Sequence, residues 1–75
     1  MSGWVTKKVR DLKVGDCFRW QVSTHHYTGA AQYAFFSADR IEEEKGGLLN
    51  IVSGKYERHF RKNKTVEVYV EKESI

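Results

Sequence analysis

The sequence predicts an all-β domain: a small five-stranded SH3-like barrel or a strongly curved antiparallel sheet. Three observations predict it. Apolar and polar residues alternate with a period of two over most of the chain, as in half-buried strands. Glycine-centred turn signals recur at short intervals, at Gly15, Gly29, Gly46-Gly47 and Gly54. There is no proline, no repeat and no low-complexity tract among the 75 residues, so one domain spans residues 1–75.

The first element signal is Val9-Arg10-Asp11-Leu12-Lys13-Val14-Gly15-Asp16, which ends in a turn pair. Cys17 to Val22 follows as a strand, with Phe18, Trp20 and Val22 on one side and Cys17, Arg19 and Gln21 on the other. Ser23 to Ala31 is polar and reads as a loop long enough to carry function. Gln32 to Lys45 fits two descriptions. Tyr33, Phe35, Phe36 and Ile41 suit a strand with a bulge, whereas Ala30, Ala31, Ala34, Ala38 and Glu42 to Glu44 suit a helix over about 30–45. The strand is preferred, because the helical stripe is weak and three acids at a helix C-terminus oppose its dipole. An α+β domain is the alternative.

Leu48 to Ser53 is an apolar strand, and Ser53-Gly54 signals a hairpin. Tyr56, Arg58 and Phe60 then alternate with Glu57 and His59. Lys62-Asn63-Lys64 is a turn. Val66, Val68 and Val70 alternate with Glu67, Tyr69 and Glu71 in the clearest strand, with which Trp4-Val5-Thr6 can pair. The predicted core is Val9, Leu12, Val14, Phe18, Trp20, Phe36, Ile41, Leu49, Ile51, Phe60, Val66, Val68 and Val70.

This pattern resembles small SH3-like barrel proteins of phage and prophage type. The matching stretches are Val9-x-x-Leu12-Lys13-Val14-Gly15-Asp16, Asp39-Arg40-Ile41-Glu42 before Gly46-Gly47, and Phe60-x-x-x-Lys64-Thr65-Val66-Glu67-Val68. The resemblance implies a fold and a viral origin, and it carries over no catalytic residue. Asp-Leu-Lys-Val-Gly-Asp is also similar to the opening of intein-type and hedgehog-type autoprocessing domains. This chain is far too short for those and lacks their initiating cysteine.

Composition narrows the function classes. Cys17 is the one cysteine, which excludes an internal disulfide and fits a reducing compartment. No apolar run approaches a membrane span, the N-terminus lacks a signal-peptide core, and Lys72 to Ile75 is not a lipidation box. A cytoplasmic location, the host cytoplasm for a viral protein, and no membrane partner are expected. His25 and His26 are adjacent, so on an extended chain they point apart. With Cys17 and His59 they lack zinc-ligand spacing. No metal and no cofactor are expected. Cys17 sits on the outward side of its strand with no activating neighbour, and no phosphate-binding glycine loop or nucleophile elbow occurs. The expectation is a protein that is not an enzyme.

Charge is uneven. The net charge is +3, yet Lys55 to Lys64 holds five Lys/Arg against Glu57, or +4. Asp39 to Glu44 holds four acids against Arg40, or −3. Lys55, Arg58, His59, Arg61, Lys62 and Lys64 are the candidate nucleic-acid contacts, since cations neutralise phosphates. His25, His26, Tyr27 and Tyr33 make an aromatic loop that can assist. The acidic strand is either a solvated hairpin end or the electrostatic partner of the basic one. Two readings follow. One is a non-enzymatic nucleic-acid-binding module. The other is a phage-type interaction factor that regulates or inhibits a host protein through the acidic hairpin or an open sheet edge.

Overall fold

The computed structural model describes residues 2–71, and the expectation about Lys72 to Ile75 lies outside the described residues. Seven strands form in order: β1 (Ser2–Lys8), β2 (Cys17–Thr24), β3 (Ala31–Ser37), β4 (Arg40–Glu44), β5 (Leu48–Ser53), β6 (Tyr56–Arg61) and β7 (Thr65–Glu71). They make two open antiparallel sheets. One has the order β1-β7-β2-β3 and the other β4-β5-β6. The chain is therefore all-β, and it departs from the expected five-stranded closed barrel. A single 3-10 turn at Val9–Asp11 is the one helical element among the described residues. The α+β alternative does not occur.

The departure begins between Gln32 and Lys45. No bulged strand and no helix forms there. The chain turns a corner at Ala38, which is fully buried. Its N–H donates to the Asp16 carbonyl at 2.8 Å, and its own carbonyl accepts from Gly15 N–H at 2.8 Å. One residue on, Asp39 N–H donates to the Val52 carbonyl at 2.9 Å. Successive residues thus hand the backbone from one sheet to the other. A small side chain is needed where the two sheets close on each other.

β2 and β3 also extend further than expected. They pair from Cys17↔Ser37 to Thr24↔Ala31, with a register shift between Gln21 and Ser23 that leaves Val22 exposed. The loop shortens accordingly to 25–30. The β4–β5 connection needs Gly46 and Gly47 in sequence because both have positive φ, 78° and 74°, which side chains with a Cβ adopt at a cost. β1 pairs with β7 along its whole length, Trp4 opposite Tyr69, as the N-terminal alternation suggested.

The core lies between the sheets. Phe18 is fully buried at its centre, with rings of Trp20, Phe36 and Phe60 at 5.6, 6.0 and 5.8 Å. Val9, Leu12, Leu49, Ile51, Val66 and Val68 complete it, and Trp20, Phe36 and Ile41 pack half-buried against it. Two predicted core residues fall outside it: Val70, half-buried near the end of β7, and Val14, at 66% exposed. Val14 departs furthest. It occupies a tight turn closed by Asp16 N–H to the Lys13 carbonyl and by Lys13 N–H to the Asp16 carboxylate. The geometry of that turn aims the residue at solvent, whatever its hydropathy.

Candidate nucleic-acid interface

The side chains of β6 divide as strand geometry requires. Phe60 faces the core, and Arg58 shares its side, with its guanidinium 6.0 Å from the Trp20 ring. Lys55 sits in the β5–β6 turn, at the opposite end of β6 from Arg61. His59 faces outward and hydrogen-bonds through Nδ1 to the Glu44 carboxylate. Lys62 pairs with Glu43. That hydrogen bond, with the charge of Lys62 behind it, lowers the Glu43 pKa below its ordinary value. Although β5 separates β4 from β6, the long side chains at their ends reach across it. Acidic β4 thereby occupies two of the six sequence candidates, Lys62 as an ion pair and His59 through a hydrogen bond.

The remaining cations gain neighbours from a distant part of the chain. The turn after β6 hydrogen-bonds to the segment after β1: Val9 N–H donates to the Lys64 carbonyl at 2.9 Å, and Arg10 N–H to the Lys62 carbonyl at 3.1 Å. Asn63 is the hub. Its side-chain oxygen accepts from the Arg10 guanidinium at 3.1 Å, and its backbone carbonyl accepts from Lys8 Nζ at 3.3 Å. Lys8, Arg10, Arg61 and Lys64 therefore converge on one end of the domain, and none has a carboxylate partner among the described residues. Asp11 is the acid on this segment. An open depression of about 590 Å³ lies between His59, Phe60, Arg61, Asn63 and Lys64. Lys8 and Arg10 escaped the sequence reading because nothing local links them to residues more than 50 positions away.

The aromatic loop projects from the same end. β2 runs antiparallel to β7 with Arg19 opposite Glu67, so it passes the start of β7 before reaching Thr24. The His25, His26 and Tyr27 rings cluster at its tip, with the last two 4.1 Å apart and Tyr27 84% exposed. Tyr33 does not join them. It lies on β3, on the outer face of the four-stranded sheet, with the Arg19 guanidinium 4.1 Å from its ring centre. Cys17 is exposed, 3.6 Å from the Ser37 hydroxyl. No group of three or more His, Cys, Asp or Glu able to hold a metal assembles among the described residues. No helix among them is long and apolar enough to cross a membrane.

Fold and surface together define a small two-sheet β domain with a cationic end. No family model matches the chain, and no curated protein or solved structure matches it either.

Proposed function

We propose that this domain is a non-enzymatic nucleic-acid-binding module whose phosphate contacts lie at the cationic end. One observation carries the reading: backbone pairing of residues 9–10 with 62–64 gathers Lys8, Arg10, Arg61 and Lys64 around Asn63 with no carboxylate partner among the described residues. Like charges repel, so a cluster of this kind is stabilised by an anion seated on it. Lys62 and the His25–Tyr27 tip flank the cluster. A further part of the proposal is kinship with small SH3-like folds, supported by two antiparallel sheets closing on one core through the Ala38 corner.

Fluorescence anisotropy of a labelled oligonucleotide tests the reading. The Arg10→Glu, Lys64→Glu variant should keep the wild-type circular-dichroism spectrum and lose binding at low salt. Equal affinity of variant and wild type would remove the proposal. A protein captured equally by both, with no oligonucleotide affinity, would favour the interaction-factor reading.

A further inference from the structure

Among the described residues no layer covers the outer face of the four-stranded sheet, yet this face carries four aromatic rings. Trp4 (β1), Tyr69 (β7), Tyr33 and Phe35 (β3) all point outward, because their neighbours Val68, Phe18 and Phe36 point into the core. Trp4 reaches across the sheet, with its ring 5.3 Å from Tyr69 and 5.9 Å from Phe35. Arg19 fixes the arrangement. Its guanidinium lies 4.2 Å from the Trp4 ring centre and 4.1 Å from that of Tyr33, while its Nε donates to Glu67 at 3.1 Å. Phe35 remains 64% exposed and Tyr69 42%.

We propose that this face is a stacking platform for unpaired bases, so that the ligand of the cationic end is single-stranded nucleic acid. The inference rests on the reading given above and adds the substrate class. Two features favour this occupant over a protein. From the Cys17–Ser37 pair to the Gln21–Tyr33 pair, the outward residues of the sheet are aromatic or polar, or Cys17, and none is aliphatic. Such a surface offers π-faces, on which any base stacks, and little of the aliphatic packing that fills a protein interface core. The second feature is charge. Lys8 points outward from the same face as Trp4, four residues along β1, or about 13 Å. Lys8 leads directly into Arg10 and Lys64. Glu67 is neutralised by Arg19, and Glu71 sits at the end of β7 remote from Lys8. A strand stacked on the exposed rings of Phe35 and Tyr69 thus has its phosphates drawn toward one end only. Paired bases cannot reach the rings, since their faces are already stacked on each other.

The test compares a labelled 12-nucleotide single strand with a duplex of equal length, at 50 mM salt. Wild type should bind the single strand more tightly. Phe35→Ala should weaken single-strand binding by between about fivefold and about a hundredfold, and leave duplex binding unchanged. Phe35→Leu, which keeps apolar area but removes the ring, should fall nearly as far. Unchanged single-strand affinity in both variants would overturn the platform, and the cationic-end reading would stand if Arg10→Glu, Lys64→Glu still abolished binding. Failure of wild type to bind either probe would remove both. A wild-type dimer in size-exclusion chromatography that Phe35→Ala converts to monomer would also overturn the platform, because a second copy would then cover the face.

Discussion

The salt dependence of oligonucleotide binding follows from the number of cations left unpaired. Lys8, Arg10, Arg61 and Lys64 have no carboxylate partner among the described residues, whereas Lys62 and His59 do. Each phosphate neutralised on a single strand releases counterions and contributes about 0.7 to the slope of log K against log salt. Four contacts give a slope of about −2.8, which is an affinity loss of about 50-fold between 50 and 200 mM salt. Replacing Arg61 and Lys64 by alanine leaves two contacts. The slope should fall to about −1.4, and the loss over the same range to about sevenfold. Both side chains are exposed, so stability should change by less than about 0.5 kcal/mol. Anisotropy titrations at four or five salt concentrations read the slope directly, and urea unfolding checks the fold. A double variant with the wild-type slope would refute the assignment of these residues to phosphate contacts. So would a wild-type slope near zero.

Other substitutions separate binding from folding. Glu43→Gln releases Lys62 as a fifth cation, so the slope should steepen by about 0.7 and low-salt affinity should rise; an unchanged titration would show that Lys62 takes no part. The Glu43 pKa is lowered in the folded state, so its pairing stabilises the fold above the ordinary carboxylate value and is lost as pH falls through the depressed one. Comparing wild type and Glu43→Gln in urea at successively lower pH should show their stability difference shrinking, and a difference that grows on acidification would contradict the pairing. Phe18→Ala should destabilise by about 3–5 kcal/mol, since the ring is fully buried among three others. Against a total of about 4–11 kcal/mol for a chain this long, the loss is a large share of the stability, and the urea midpoint should fall accordingly; an unchanged midpoint would show that the ring is not at the centre of the core. Asn50 is buried, donates from its side-chain nitrogen to Glu57 at 3.1 Å, and leaves its side-chain oxygen without a partner. Asn50→Val should therefore be neutral or stabilising by up to about 1 kcal/mol, as removal of an unsatisfied polar group offsets the lost hydrogen bond. A loss above 2 kcal/mol in urea titration would show that the oxygen is satisfied in solution.

Local pattern determined much of the fold. Alternation at Phe18–Trp20 and Val66–Val68 marked the strands and their inward sides, because side chains on a strand change sides at every residue whatever the strand pairs with. Glycine at 46, 47 and 54 marked the turns for an equally local reason, since only a residue without a Cβ adopts positive φ cheaply. Ala38 shows where such reasoning ends. Its role as the corner between sheets depends on hydrogen bonds to Gly15 and Asp16, more than 20 residues earlier, and an alanine has no local pattern to announce it.

The candidate site divides along the same line. The sequence alone determined that the Lys55–Lys64 segment is basic and that an aromatic tip lies near Tyr27. Tertiary structure decided that Glu43 and Glu44 pair with part of that segment, and that Lys8 and Arg10 complete the cluster. It also set Trp4, Arg19, Phe35 and Tyr69 side by side on one face. Strand order is the physical reason. Alternation tells each side chain which way to point, but only the pairing of β1 with β7, and of β7 with β2, decides which outward side chains become neighbours.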